Sequence, residues 1–465
     1  MPPELYEHQR VGVEWLTVVG RGLLGDDRGL GKTAQALLAV QKLPLLILSP
    51  KSVLIKWSDE MLTWRPDLYD EATVMKWENT QRKQLALNTR PRVVVANYDM
   101  MSQRTKGTPA FAEASFIKRQ WGTIIADEAQ YLRVRSSRRT KQSYRMNAED
   151  VFLLTASPVT TRPDDVWSMV HLLHPKEYPS FWKWAEEYCW IEEQYYGSGR
   201  PVREVIGWRA EKLNEFLREF GLMYLRRTKE EVMPDLPPRI PARITVELPS
   251  AERARYHALE KQMLLEYAEA GFELIPSVAE KLVRLRQLLT AHQAFGFTDL
   301  TSKQEAVCEL VEDCLADTEK VVVFTWFQPA AEAITAELIR RGISTSVAHG
   351  GVKYETREAL RKAFQEQLEP RVFVGTISTI GLGIDLHRAN VAIFTEKSYD
   401  PEENEQAMDR VHRIGQDKPV TVYTVTARDT IDDDVEVVLA LKRELIIGPV
   451  WMSTAVLKSR LASST

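Results

Sequence analysis

The chain has 465 residues and a mass of 53.3 kDa, which is too long for one ordinary domain and long enough for two or three. Hydrophobic residues (44%) and charged residues (27%) exclude a disordered or fibrous protein, and 61 basic against 65 acidic residues give a net charge of −4, which neither requires nor excludes a nucleic-acid partner. The sequence has no apolar run of the roughly 20 residues that a membrane helix needs, and it shows no secretory signal. Its three cysteines, Cys189, Cys308 and Cys314, have neither the number for a disulfide framework nor the spacing of zinc ligands, so a reducing compartment is expected.

Short apolar runs separated by polar, helical-looking stretches fill the first 160 residues. The runs predicted to be strands are residues 43–48, 92–96, 123–126 and 151–154. Their apolarity is continuous rather than alternating, which is typical of parallel strands covered by helices on both faces. The pattern predicts an α/β lobe with a doubly wound parallel sheet.

Residues 25–33 read GDDRGLGKT between an apolar run and a helical stretch, which is the context of a phosphate-binding loop. Gly29 and Gly31 let backbone N–H groups approach phosphates, Lys32 supplies a positive charge, and Thr33 offers a hydroxyl to Mg²⁺. The strict pattern is broken because Asp26 stands where its first glycine belongs.

Asp127 and Glu128 follow the predicted strand 123–126, within the sequence DEAQ. An acidic residue at the end of a strand beside a phosphate loop is placed to hold Mg²⁺, and its neighbour is placed to activate the attacking water. The alternative is a solvated acidic pair that caps the next helix.

Residues 163–234 are rich in aromatic and charged residues and are predicted to be a mainly helical insertion. The Pro-rich segment 233–241 is the candidate linker, and residues 250–293 are predicted to be helical. Apolar runs at 321–324, 372–374, 391–394 and 420–425 then predict a second parallel sheet. The predicted domains are a first lobe (1–235), a linker with a helical protrusion (236–300) and a second lobe (301–465).

These motifs resemble those of the Swi/Snf-type ATPases of helicase superfamily two, and the match covers nearly the whole chain. The family's motifs DEMGLGKT, DEAH or DEGH, TGTP, GLGINL and QAxDRxHRIGQ stand here as DDRGLGKT (26–33), DEAQ (127–130), TASP (155–158), GLGIDL (381–386) and QAMDRVHRIGQ (406–416). The segments LYEHQRVGVEWL (5–16) and MYLRRTKEEVMPDLP (223–237) are also similar to family sequences. The resemblance implies two RecA-like lobes with helical insertions.

It also implies roles for individual residues. Lys32, Thr33, Asp127 and Glu128 would bind and hydrolyse Mg-ATP, with Thr33 and Asp127 at the metal. Arg410 and Arg413 would reach the γ-phosphate from the second lobe as arginine fingers. The remaining nucleotide contacts implied by the resemblance are Gln9 at the base, Gly29, Gly31, Asp385 and Gln406.

A DNA track is expected from the same resemblance, with both lobes holding a duplex or fork through its phosphates. Its candidates are Ser49, Pro50, Lys51, Asn97, Tyr98, Trp326, Thr376 and Ser378, of types that position a backbone without reading sequence. Arg133, Arg135, Arg138, Arg139, Lys141 and Arg145 form a basic run that either lies along DNA or is a solvated helix face. The tryptophans of the insertion are expected to be packing anchors rather than base-stacking residues.

The expected function is an ATP-driven translocase on double-stranded DNA that remodels DNA or protein–DNA complexes. TTRPDDVW (160–167) and FTEKSYDP (394–401) favour the annealing-helicase branch, which anneals strands or remodels forks. The alternatives are a strand-separating helicase, an inactive DNA-binding scaffold and an ATP switch that acts without nucleic acid. A compact bacterial or viral motor is expected, cytoplasmic or nucleoid-associated, or nuclear if eukaryotic, with a protein partner for recruitment.

Overall fold

A computed structural model describes residues 4–70, 72–74, 90–101, 116–156, 163–194, 201–270, 275–381, 384–413, 415–436 and 439. Within this part of the chain, one compact unit ends at Pro234 and a second begins at Asp235. None of its helices is long and apolar enough to cross a membrane.

The first unit contains a parallel sheet of seven strands in the order β3-β4-β2-β5-β6-β1-β9. Its strands are Arg21–Leu24 (β1), Leu45–Ser49 (β2), Ala72–Val74 (β3), Val93–Asn97 (β4), Gln120–Asp127 (β5), Asn147–Leu154 (β6) and Tyr224–Leu225 (β9). Cys189–Gln194 (β7) and Val202–Trp208 (β8) form a separate antiparallel hairpin.

Helices connect these strands. In the first unit they are Glu7–Val19 (α1), Lys32–Ala39 (α2), Leu54–Trp64 (α3), Pro66–Asp70 (α4), Arg138–Ser143 (α5), Trp167–Leu173 (α6), Phe181–Tyr188 (α7), Ala210–Met223 (α8) and Lys229–Val232 (α9).

The second unit is built on a parallel sheet of six strands in the order β10-β15-β14-β11-β13-β12. Its strands are Arg239–Val246 (β10), Val321–Thr325 (β11), Thr345–Ala348 (β12), Val372–Thr376 (β13), Val391–Phe394 (β14) and Val420–Ala427 (β15). Its helices are Ser250–Ala270 (α10), Ile275–Thr290 (α11), Ser302–Asp317 (α12), Gln328–Arg340 (α13), Tyr354–Glu366 (α14), Ile377–Gly381 (α15) and Pro401–Met408 (α16).

Both sheets are covered on both faces. In β2, Leu46 and Leu48 belong to one apolar cluster, and Leu45 and Ile47 belong to another. In β11, Val322 and Phe324 likewise belong to one apolar cluster, and Val321 and Val323 belong to another. This division arises because alternate side chains of a strand point to opposite faces of the sheet. The predicted fold class, two doubly wound parallel-sheet lobes with helical insertions, is confirmed.

Two segments differ from their predicted form. The region predicted to be mainly helical contains the β7–β8 hairpin, and the segment predicted to be a linker runs into strand β10. Pro241 lies within β10, which is tolerated because β10 is the edge strand of its sheet.

Candidate nucleotide-binding site

The phosphate loop connects β1 to α2, with its glycines in left-handed backbone conformations. Gly29 has φ 86° and Gly31, the N-cap of α2, has φ 78°. A Cβ on Gly31 would lie 2.2 Å from Nε2 of Gln9, so a larger residue cannot occupy this position without displacing Gln9. Glycine is therefore required both by conformation and by close packing.

Lys32 begins α2 and points back into its own loop. Its ammonium donates to the carbonyl oxygens of Asp26 (2.5 Å) and Asp27 (3.2 Å). Burial lowers the pKa of Lys32, and the negative charge of Glu128 opposes that shift. Thr33, the expected cation ligand, follows in the first turn of α2.

Gln9, the expected base contact, lies against the phosphate loop. Its Nε2 donates to the carbonyl of Leu30 (3.3 Å), and its Oε1 accepts from the N–H of Tyr6 (3.1 Å). The side chain is buried. Gln9 thus links α1 to the loop through its amide.

Asp127 and Glu128 lie at the carboxyl end of β5, the sheet edge from which the phosphate loop also leaves β1. One carboxylate oxygen of Asp127 accepts from Nε1 of Trp57 (2.9 Å). Burial, with a smaller contribution from Glu128, raises the pKa of Asp127 to about 6. A half-buried carboxylate beside a second acid is a site that a divalent cation would stabilise in its charged form.

Thr33 and Asp127 fit Mg²⁺ chemically, because the ion prefers oxygen ligands and takes most of them from phosphate and water. No cluster of three or more His, Cys, Asp or Glu side chains suited to a metal occurs in the described residues.

Glu128 adopts a left-handed conformation (φ 50°), and its Oε2 accepts from Nε2 of Gln130 at 2.7 Å. Gln130 stands where the family has histidine, and its amide contacts the proposed water-activating carboxylate. From the TASP motif, the structure describes Thr155 and Ala156, whereas Ser157 and Pro158 lie outside the described residues.

A second cluster of expected site residues lies in the second unit. Arg413 and Arg410 both donate to Oδ1 of Asp385, the latter at 3.5 Å. Arg410 also donates to the carbonyl of Gly381 at 3.1 and 2.6 Å, and a Cβ on Gly381 would lie 3.5 Å from Cβ of Gln406. The structure therefore brings Asp385, Gln406, Arg410 and Arg413 together.

The expected DNA contacts lie at the carboxyl ends of β2, β4, β11 and β13, but they differ in exposure. Lys51 and Ser378 are exposed, and Trp326 is half-buried. The buried members are Ser49, Pro50, Asn97, Tyr98 and Thr376. Because these side chains are buried, they are better placed to hold the protein backbone at the strand ends than to contact DNA directly.

Several of these residues have defined partners, among them Tyr98, Trp326 and Thr376. The Tyr98 hydroxyl donates to the carbonyl of Asp127 (2.6 Å), and its ring stacks on Tyr131. The guanidinium of Arg286 lies 4.8 Å from the ring of Trp326. Thr376 donates to the Thr379 hydroxyl at 2.8 Å.

Two arginines of the basic run pack on aromatic rings. Arg135 lies 3.9 Å from the ring centroid of Phe181, and Arg139 lies 5.6 Å from that of Tyr131. In the insertion, Trp184 is buried and packs against Trp208 and Phe216, as expected for an anchor. Arg135 thus contributes to holding the insertion.

The sequence prediction assigned no role to three residues beside the site: Trp57, Arg226 and Arg227. Trp57 reaches Asp127 from α3, and the two arginines follow β9 and contact the phosphate loop. The double arginine within LRRTK was visible in the sequence, but its partner Asp26 appeared there merely as an irregular loop residue.

Comparisons with known proteins show the family of the chain. A model of the SNF2-related domain matches residues 8–294, and a model of the helicase conserved C-terminal domain matches residues 302–415. An uncharacterised ATP-dependent helicase of Mycoplasma genitalium is 25% identical over 95% of this chain and 42% of its own length. The DNA annealing helicase and endonuclease ZRANB3 of Homo sapiens is 27% identical over 89% of this chain and 37% of its own length.

Among solved structures, the SWI2/SNF2 ATPase core of Sulfolobus solfataricus in complex with dsDNA is 22% identical, with a TM-score of 0.45 and coverage of 98% of this chain and 95% of that one. The chain spans about two fifths of the length of the two curated relatives above.

Proposed function

Because the chain belongs to the SNF2-related family, whose model matches residues 8–294, we propose that it is a DNA-dependent ATPase that translocates on double-stranded DNA. The observation that carries this proposal is the shared sheet edge of the phosphate loop and the Asp127–Glu128 pair in the first unit. The proposed outcome of this translocation is the remodelling of DNA or of protein–DNA complexes.

ATP hydrolysis follows from the side chains of that edge. Lys32 and the N–H groups of the glycine loop bind the phosphates, and Thr33 and Asp127 would hold Mg²⁺. The cation would neutralise charge on the β- and γ-phosphates. Glu128 orients the attacking water and accepts its proton, while Gln130 holds the carboxylate.

Arg410 and Arg413 complete the proposed mechanism from the second unit. Phosphoryl transfer spreads negative charge over the γ-phosphoryl oxygens, and arginines that reach this charge contribute roughly 10³–10⁵ in rate. Since the two arginines belong to a separate unit, hydrolysis would require the two units to close around ATP. Such closure and release, repeated with each ATP, is the proposed source of movement along DNA.

The proposed DNA track uses polar groups at the carboxyl ends of strands in both units. Lys51 and Ser378 are the exposed candidates, and loop N–H groups next to the buried candidates would bind phosphates. Duplex or forked DNA is the proposed partner, with affinity that falls as salt rises and little sequence preference. ZRANB3 is called an annealing helicase, which favours annealing or fork remodelling over strand separation.

The test is steady-state ATPase activity without nucleic acid, with single-stranded DNA, with duplex DNA and with a forked duplex. Lys32→Ala serves as the inactive control. Stimulation by duplex or fork is expected, and stimulation by single strands alone would favour a strand-separating helicase instead. ATP binding with negligible hydrolysis under all four conditions would favour a DNA-binding scaffold, and hydrolysis indifferent to DNA would favour an ATP switch.

A further inference from the structure

Two consecutive arginines, Arg226 and Arg227, hold two consecutive aspartates of the phosphate loop, Asp26 and Asp27. Arg227 forms a bidentate pair with Asp26, from Nε to Oδ1 at 2.9 Å and from Nη2 to Oδ2 at 2.6 Å. Arg226 donates to Oδ1 of Asp27 at 3.3 Å. A planar guanidinium that meets a carboxylate through two bonds fixes its orientation as well as its distance.

Strand pairing explains why these residues meet. The two-residue strand β9 pairs in parallel with the end of β1, so that the residues after each strand continue side by side. The N–H of Gly25 donates to the carbonyl of Leu225 (2.7 Å), and the N–H of Asp27 donates to the carbonyl of Arg227 (2.9 Å). The arginines therefore lie along the loop for its first three residues.

Asp26 is completely buried, at 0% exposure. Its second neighbour is Gln35 of α2, whose Nε2 donates to Oδ2 at 3.1 Å and whose Oε1 accepts from Arg227 at 2.9 Å. Arg227 also donates to the carbonyl of His8 in α1. One guanidinium thus contacts α1, α2 and the loop, and it forms an ion pair with a carboxylate that is buried in the interior.

The same two aspartates present their carbonyl oxygens to Lys32. Its ammonium donates to the carbonyls of Asp26 and Asp27, so the backbone that orients the lysine is the backbone whose side chains the arginines hold. An error of about 1 Å in such a group can cost on the order of 10²-fold in rate. The orientation of the lysine therefore depends on where Asp26 is held.

We infer that Arg227 is a positioning residue for ATP binding, which acts through Asp26 on Lys32. This inference rests on the proposed function, since it deepens the role of the phosphate loop. The inference also explains the aspartate that replaces the first glycine of the strict phosphate-loop pattern. The side chain of Asp26 anchors the loop to Arg227.

The test compares ATP binding by the full chain and its variants, with a fluorescent ATP analogue as the probe. Arg227→Lys keeps the charge and removes the fork, and Asp26→Asn keeps the shape and removes the charge. Each is expected to weaken binding on the order of tenfold. Arg21→Lys is the matched control, because Arg21 donates to four backbone carbonyls at the opposite end of β1 and is expected to leave ATP affinity unchanged.

A double-mutant cycle separates positioning from general stability. If Arg227 acts through Lys32, Arg227→Lys will weaken binding much less in a Lys32→Ala background than in the wild type, whereas a merely structural effect will be equal in both. Thermal unfolding of each variant confirms that it is folded, and Asp26→Asn replaces Arg227→Lys in the cycle if the latter is not. Equal effects in both backgrounds, or affinity within twofold of the wild type, would overturn the inference.

The same binding measurement distinguishes failure of the proposed function from failure of the positioning role. A wild-type chain that does not bind the ATP analogue removes the proposed function itself. Wild-type binding that is insensitive to Arg227→Lys removes only the positioning role.

Discussion

Glu128 is the side chain from which we expect the cleanest separation of binding from hydrolysis. Glu128→Gln retains the shape and the contact with Gln130 but removes the group that accepts the proton of the attacking water. We predict a loss in kcat of about 10²–10⁴-fold with ATP affinity nearly unchanged. Single-turnover hydrolysis and equilibrium ATP binding measure the two effects.

Glu219→Gln is the control for that substitution. Glu219 belongs to the first unit and accepts hydrogen bonds from Tyr178 and Tyr188, so its replacement should leave kcat unchanged. If Glu128→Gln abolishes ATP binding instead, Glu128 maintains the fold of the site rather than activating water.

Substitutions of Tyr98 and Lys51 are expected to have different effects on DNA binding, although both residues were candidates for the DNA track. The Tyr98 hydroxyl is committed to the carbonyl of Asp127, so Tyr98→Phe should cost about 1 kcal/mol of stability and leave DNA affinity unchanged. Lys51→Ala should weaken DNA binding and make it less dependent on salt. Fluorescence anisotropy of labelled duplex at several salt concentrations measures both, and a salt slope unchanged by Lys51→Ala would remove that residue from the track.

Lys320 gives a prediction about pH. It is completely buried, donates to the carbonyl oxygens of Leu368 and Pro370, and its pKa is lowered to about 8, chiefly by burial. Between pH 8 and 10.5 the folded chain binds fewer protons than the unfolded chain, so stability from this group increases with pH across that interval.

Relative to Lys320→Met, the wild type should therefore become more stable as the pH rises from 8 to 10. Chemical denaturation at a series of pH values measures the difference. The exposed Lys418→Met should show no such trend, and a constant difference between wild type and Lys320→Met would contradict the lowered pKa.

At the level of single residues, sequence reasoning selected the side chains that are proposed to carry chemistry and missed the residues that hold them in place. Lys32, Asp127 and Arg413 belong to motifs whose spacing indicates a role. The partner of Asp26, by contrast, lies 201 residues away in sequence, and only the pairing of β9 with β1 brings the two together. Burial was equally hidden, because a tyrosine at a strand end has the same sequence pattern whether it faces solvent or the core.

Among the secondary-structure elements, most of the strands predicted from sequence are buried on both faces, although β15 was predicted and is half-buried over four of its residues. β2, β4, β11, β13 and β14 are buried at every residue, which produces the continuous apolar runs. Two of the strands without a prediction lack that signal: β10 has only exposed and half-buried positions, and β9 has only two residues. Edge position and short length remove the pattern that a sequence can display.

Helix α12 offers a prediction about an element end. Its N-cap, Thr301, is completely buried and forms a capping box with Gln304, with reciprocal bonds of 3.1 and 2.9 Å. Thr301→Ala should lower the free energy of unfolding by about 1–2 kcal/mol, because a buried N–H loses its acceptor. Denaturant unfolding measures the change. The control is Thr63→Ala at an exposed position in the last turn of α3, which is expected to lie within about 0.5 kcal/mol of wild type.

For the whole molecule, the two units carry complementary parts of one proposed reaction. The first holds the phosphate loop and the acidic pair, and the second holds the cluster of Asp385, Arg410 and Arg413. Sequence reasoning could predict this division because each set of motifs lies within a separate series of parallel strands. Each sheet could be predicted from local runs, whereas the use of both units for one ATP depends on the family resemblance.

Arg413→Ala tests that division. Within the described residues, the guanidinium of Arg413 donates to a carboxylate of its own unit, that of Asp385, so its removal should leave both folds intact. Arg410, in contrast, also donates to the backbone carbonyl of Gly381. We predict that Arg413→Ala lowers DNA-stimulated kcat by about 10³-fold or more, with ATP and DNA affinities within a few-fold of wild type.

Arg388→Ala is the matched control, because Arg388 belongs to the same unit and pairs with Glu319. It should leave kcat unchanged. A large loss of DNA affinity in Arg413→Ala would instead assign this arginine to the DNA track, and unchanged kcat would mean that the second unit contributes no arginine to hydrolysis. Because the substitution lies outside the unit that holds the phosphate loop, a loss of kcat without a loss of affinity would support the proposal that the two units act on the same ATP.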